Sequence, residues 1–184
     1  LPHWAAGANT ARPLLKDDDM RVLVQRVAEA KVDVGPRRIG AIQQGLLVFF
    51  CAVNGDETHD AEQLATKISK LRIFEDDAGK MNRSVTDIER SVLVVSQFTL
   101  AADTRKGNRP SFISAARPDS SIPLMDVFIH TLEGLGLPVE TGEFGASMAV
   151  HLVNDGPVTI WIDTREKERH GFCVDSARAH CFEH

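Results

Sequence analysis

From residue 21 to residue 27 the chain alternates with a period of two. Val22, Val24 and Arg26 fall on one strand face, and Leu23, Gln25 and Val27 on the other. An arginine in line with two valines is either emerging into water or pairing with something specific. Short strands are predicted over 31–34 and 38–42, around the turn signal Gly35-Pro36. Residues 46–53 are apolar on both faces and predict a central strand, ended by Asn54-Gly55-Asp56. The period then changes. Ala61, Leu64, Ile68 and Leu71 recur at helical spacing, while Glu62, Lys67 and Lys70 face away. Asp60 is the expected N-cap, with Gln63 in a capping-box arrangement, and the helix is expected to end near Arg72. A tight turn at Asp76-Asp77-Ala78-Gly79 precedes a valine-dense strand over 91–99. A second helix, capped by Ser121, carries Leu124, Phe128, Leu132 and Leu135 and is closed by Gly134, Gly136 and Pro138. Two last strands, 148–153 and 158–163, flank a turn. Strands outnumber the two principal helices, which come singly, and several connections are hairpin-short. The pattern predicts an α+β fold with a mainly antiparallel sheet.

Composition narrows the field of function. A length of 184 residues is one domain with a sufficient core, and the 43% hydrophobic content is that of an ordinary soluble protein. No apolar run approaches the roughly 20 residues that span a bilayer. The net charge of −5 excludes a general basic field, so any RNA contact must be local. Three cysteines without paired spacing point to a reducing compartment. Residues 1–19 have no clear period, lack the apolar centre of a secretory signal and make a poor transit peptide. They are expected to form a flexible tail or processed extension, with Met20 an internal start or the domain edge. The domain is expected over 20–164, followed by a tail over 165–184.

Two stretches carry candidate chemistry. In Asn154-Asp155-Gly156-Pro157-Val158-Thr159 the proline cannot donate to a ladder, and it marks a break or an edge. An X-Pro bond is also where a cis peptide is least costly. Open carbonyls at Gly156 and Pro157 would suit an ammonium group, although a plain hairpin turn accounts for the same residues. If Ser96-Gln97-Phe98-Thr99 stays extended, Gln97 and Thr99 share a face about 6.5–7 Å apart, with Ser96 and Phe98 on the other. An amide and a hydroxyl then meet one small pocket, or the strand is simply leaving the core. Other constellations are weaker. His151 is expected to be a satisfied structural histidine among apolar neighbours. Cys173, His180, Cys181 and His184 match no structural zinc spacing, and no metal or cofactor is expected. Nucleophile elbow, phosphate loop and dinucleotide fingerprint are absent.

Those two stretches together resemble the paired signature of D-aminoacyl-tRNA deacylases. Val24-Gln25-Arg26-Val27, Gly79-Lys80-Met81-Asn82, Gly107-Asn108-Arg109-Pro110-Ser111-Phe112 and Thr141-Gly142-Glu143-Phe144-Gly145-Ala146 resemble further family segments, in family order. Six motifs in sequence are specific. The resemblance covers about 20–164 and says nothing of either end.

The resemblance implies a homodimer of a small β-barrel-like fold, in the cytoplasm, acting on the 3′ aminoacyl-adenosine end of tRNA. A Gly-cisPro tip, Gly156 and Pro157, would enter the partner's pocket, and its two parallel carbonyls would grip the α-ammonium. An L side chain would be driven into the tip, whereas glycine would pass. Arg26 matches the arginine that holds the tip. Gln97 and Thr99, with Ser96 and Phe98, match the residues around the ester, and Phe144, Ala146 and Met148 lie in the segment against the terminal adenine. Three other readings stay open: a relative with a trans tip acting on other mischarged tRNAs, a catalytically silent dimer that binds tRNA ends or a protein partner, and a hydrolase of small D-configured esters or peptides.

Overall fold

The structure, a computed structural model, describes residues 20–164. Both terminal segments, and with them Cys173, His180, Cys181 and His184, lie outside the described residues. Strand β1 (Arg21–Val34) is the axis of the molecule. It absorbs the predicted 21–27 and 31–34 strands into one, because β1 stays extended across a register shift against its neighbour and pairs on both sides of it. Beyond the Gly35 turn, β2 (Arg37–Ile42) folds back antiparallel on the second half of β1, and β3 (Gly45–Cys51) pairs antiparallel with the first half.

The sheet then changes character. Helix α1 (Thr58–Ser69) carries the chain over to β6 (Ser91–Ser96), which lies parallel to β3. On the way a hairpin of β4 (Phe74–Glu75) and β5 (Met81–Arg83) stands apart as its own small sheet. A second crossover, α2 (Pro118–Gly134), returns the chain to β7 (Val139–Thr141), parallel to β6. Parallel neighbours require such long crossovers, which is why the helices come singly. The sheet is therefore mixed rather than mainly antiparallel, with the order β2-β1-β3-β6-β7 and β8 (Ala149–Asp163) along the free side of β1. It curls nearly closed. A Cβ on Gly40 of β2 would lie 2.6 Å from the Thr141 carbonyl of β7, so only glycine allows that approach.

Both faces of the central strands are covered. Val22, Val24, Leu46, Val48, Phe50, Val92 and Val94 pack under the helices with Leu64, Ile68, Phe128 and Leu132. Phe50 and Phe128 meet at a ring-centroid distance of 5.1 Å. On the other face Val27, Ala30, Val32, Leu47, Leu93 and Val95 form the inside of the curl. This explains the continuous apolar runs in β3 and β6.

Both helix starts fall earlier than predicted. Glu57, not Asp60, is the N-cap of α1; Asp60 sits at N3, and its Oδ2 accepts from the Glu57 N–H at 2.8 Å. The acidic pair has the capping-box spacing one register upstream of the expected one. The helix stops at Ser69, and Leu71 packs beyond it as a partly buried side chain. Arg117 rather than Ser121 precedes α2, where Pro118 takes the first position and needs no N–H partner. Ser121 lies buried one turn inside, and Leu135 is half-exposed at the end.

Candidate active site

The predicted pair of strands at 148–153 and 158–163 is one strand, β8, and both halves pair with β1. A hairpin would pair them with each other. Gln25 stands opposite Thr159 and Val27 opposite Asn154, so two steps of β1 face five steps of β8, and residues 155–158 are extruded between them. This is an enlarged bulge, the kind of local excess that lifts a backbone out of a sheet. At its crest the Gly156–Pro157 bond is cis, Gly156 has φ +117°, and both residues are exposed.

Arg26 points at the base of this tip. It is 5% exposed, which settles the sequence alternatives in favour of specific pairing rather than emergence into water. Its Nε lies 3.1 Å from both the carbonyl and the Oδ2 of Asp155, and its Nη1 donates to the Ile73 carbonyl at 2.6 Å. The guanidinium packs directly behind Gly156, where a Cβ would come within 2.6 Å of Nη2. A planar donor fork tied at both ends fixes the tip as a point charge on a flexible stem would not. Asn154 completes the base: its Nδ2 donates to the carbonyls of Arg26 and Val158, each at 3.0 Å. Ile73 belongs to none of the recognised motifs, and no pattern in the sequence marks its carbonyl as a brace.

The second stretch departs from its predicted form. Strand β6 ends at Ser96, and Phe98–Ala101 is a 3₁₀ turn, so Gln97 and Thr99 do not share a strand face. They are brought together by the turn, with Gln97 Nε2 donating to Thr99 Oγ1. The Gln97 N–H is anchored to the Phe50 carbonyl at 2.7 Å, and the Leu100 carbonyl accepts from Arg21 Nη1 at 3.2 Å. Thr99 and Phe98 are exposed, and Phe98 meets Phe112 edge-on at 5.2 Å. Cys51 lies beneath, its Sγ 3.7 Å from the Phe98 carbonyl, and burial pushes its thiol up to about 11.

The 142–148 segment leaves β7 alongside β6, where the Gly142 N–H donates to the Val94 carbonyl at 2.9 Å. Phe144 packs on the helix-side core and Met148 on the opposite cluster, with Ala146 half-buried between them. These three do not converge on one face within the chain. A cleft of about 390 Å³ does open beside Arg26 and Asp155, but Gln97 and Thr99 are not among its lining residues. His151, expected among apolar neighbours, faces outward, with Nε2 3.4 Å from Asp33 Oδ2. Alternation along β8 puts it on the uncovered side.

The family model described as D-Tyr-tRNA(Tyr) deacylase matches residues 23–163. The D-aminoacyl-tRNA deacylase of Thermomicrobium roseum is 60% identical over 147 residues, covering 80% of this chain and 96% of its own length. That of Paracoccus denitrificans is 60% identical over 148 residues, covering 80% and 99%. Among solved structures, the c-Myc DNA unwinding element binding protein superposes with a TM-score of 0.73 at 38% identity, over 78% of this chain and 98% of that one. A probable eukaryotic D-amino acid tRNA deacylase superposes with a TM-score of 0.68 over 78% and 98%, at 18% identity, a likeness of fold alone. By sequence over most of its length, this chain belongs to the D-Tyr-tRNA(Tyr) deacylase family.

Proposed function

We propose that the chain hydrolyses the ester bond of D-aminoacyl-tRNA, releasing the free D-amino acid and the tRNA. The observation that carries this reading is the Gly156–Pro157 tip, lifted out of β8 and fixed from behind by Arg26, in a chain of this family. The exposed carbonyls of Gly156 and Pro157 take the α-ammonium of the amino acid, and an L side chain collides with the tip that holds it. Glycine carries no side chain to collide and passes. The 144–148 segment runs beside the terminal adenosine through its backbone and Ala146, with Phe144 and Met148 anchoring it to the two core clusters, and Ser96, Gln97, Phe98 and Thr99 line the ester.

Water is the nucleophile in this reading. The partner of Thr99 Oγ1 is the amide Nε2 of Gln97, which has no lone pair available to take a proton, so the hydroxyl is oriented rather than activated. Nor does Cys51 supply a thiolate at neutral pH, with its thiol pushed up to about 11. Water adds to the ester carbonyl carbon, backbone N–H groups at Phe98 and Thr99 receive the developing oxyanion, and the bond to the ribose oxygen breaks as that oxygen takes up a proton released by the water. An activated ester needs mainly positioning and charge stabilisation.

We further propose that the working form is a cytoplasmic homodimer, and that residues 20–164 form its catalytic domain. Among the described residues no helix is long and apolar enough to cross a membrane. Deacylation of matched D- and L-tyrosyl-tRNA, alongside free D-tyrosine ethyl ester, tests the substrate. Turnover confined to D-tyrosyl-tRNA is the expected result. Equal turnover of both tRNA species, or turnover of the free ester alone, would reject the reading.

A further inference from the structure

We infer that Asn154 is a positioning residue that sets the stringency of chiral discrimination by clamping the two feet of the extruded tip together; the inference rests on the D-aminoacyl-tRNA reading above. Where β8 leaves its register, Arg26 faces the extruded segment and has no β8 residue in register with it. One Asn154 amide hydrogen bonds the Arg26 carbonyl at 3.0 Å, in the place a ladder N–H would take, and the other bonds the Val158 carbonyl at 3.0 Å. One side chain thus ties β1 to the exit foot of the tip while its own backbone forms the entry foot. The amide orientation is held in turn. Thr159 Oγ1 donates to Asn154 Oδ1 at 3.5 Å and accepts from Gln25 Nε2 at 3.1 Å. Arg26 fixes the tip from behind through Asp155, whereas Asn154 closes its base, so the two act on different degrees of freedom.

The consequence for selectivity follows from what the tip must do. Ammonium binding needs two carbonyls in place, but rejection of an L side chain needs the tip to stay put against a push. An open base gives way, and the L substrate gains relative to the D substrate. Asn154→Asp is the sharpest test, since it keeps the shape but turns two donors into an acceptor facing two carbonyls. The ratio of kcat/KM for L-tyrosyl-tRNA to that for D-tyrosyl-tRNA should rise about tenfold or more, with KM for the D substrate raised more than its kcat is lowered. Thr159→Val, at an exposed position, should shift the ratio the same way by about threefold, and it guards against a misfolded Asn154 variant. In hydrogen exchange the 154–158 segment should lose protection in Asn154→Ala, with β1 and β3 unchanged. An unchanged ratio in both variants, or equal slowing of the D and L substrates, overturns the clamp. If the wild-type chain deacylates neither substrate, the function reading fails instead, and the exchange result alone decides the clamp: protection unaltered by Asn154→Ala overturns it.

Discussion

Gly156 shows how a single residue can be tied to its position from two sides at once. Its φ of +117° lies where an L side chain is strained, and an added Cβ would meet Arg26 Nη2 at 2.6 Å and Val158 Cγ2 at 3.0 Å. Gly156→Ala should therefore cost about 1–3 kcal/mol locally. A tip displaced by an ångström should lower kcat/KM on D-aminoacyl-tRNA about 100-fold. Urea unfolding and single-turnover deacylation measure the two effects; full activity in this variant would show that the tip does not meet the substrate. Cys51 carries the opposite expectation. With its thiol pushed up to about 11 by burial, it should resist alkylation by iodoacetamide at pH 8, and activity should lack a thiolate-dependent rise around that pH. Rapid loss of activity on alkylation at Cys51 would reopen the question of the nucleophile. At this scale the sequence was informative about identity and silent about setting. Arg26 stood out because it broke an apolar face, yet period two alone leaves open whether such a side chain reaches water. Its partners, Asp155 and the Ile73 carbonyl, are 129 and 47 residues away in the chain.

Elements were legible where one local rule governed them and misread where tertiary pairing decided. Apolar periodicity located both helices, but their caps moved because Glu57–Asp60 repeats the spacing expected of Asp60–Gln63, and sequence alone does not rank the two registers. Removing the carboxylate that closes this turn, in Asp60→Ala, should cost about 1 kcal/mol of stability, read as a lowered urea midpoint with an unchanged slope. By composition Gln97 to Thr99 suits a strand, although β6 stops at Ser96. The bond from the Gln97 N–H to the Phe50 carbonyl and the 3₁₀ turn behind it belong to the fold, not to local preference. The tip looked like a hairpin for the same reason: only knowledge that both arms pair with β1 separates a bulge from a turn. The β4–β5 hairpin closes at the turn that Asp76-Asp77-Ala78-Gly79 predicts, and its electrostatics follow from that turn. The backbone N–H of Lys80 foremost, then that of Ala78 and the Asn82 amide, hold the Asp76 carboxyl below its ordinary value of 3.8. A depressed folded value means that the stabilisation is present above 3.8 and is lost as pH falls below it. Acidification should open this hairpin, and Asp76→Asn should flatten that part of the stability–pH curve; an unaltered curve would show the turn to be held by other means.

For the molecule as a whole, the sheet class was the least legible feature: the parallel pairs β3–β6 and β6–β7 are set by where the helices cross over, and the continuous apolar runs of β3 and β6 record burial on both faces, not strand direction. Charge is simpler to read. Residues 20–164 carry 15 Lys and Arg against 19 Asp and Glu, so substrate affinity should rest on the 3′ end rather than on many phosphates. The dependence of log affinity on log salt should have a slope of only about −1 to −2, since each neutralised phosphate adds about 0.7–0.9. A slope several times steeper would demand a phosphate-binding face that the charge balance does not provide. The distance between the two halves of the candidate site has a larger consequence. The Leu100 carbonyl is tied to Arg21, and the tip is tied to Arg26. Five residues of extended strand separate those anchors by roughly 16 Å at about 3.3 Å per residue. In an aminoacyl ester the ammonium nitrogen and the carbonyl carbon are attached to the same α-carbon. That spacing supports the dimer proposed above, in which the tip of a second copy would face this chain's Gln97–Thr99 turn across one substrate. Dimers carrying only Gly156→Ala and dimers carrying only Gln97→Ala should each be impaired, yet mixing them should restore activity. A heterodimer pairs an intact tip with an intact turn at one of its two sites, so a fully exchanged equal mixture should recover about a quarter of wild-type activity per chain. Verified subunit exchange with no recovery would show that each chain works with its own tip.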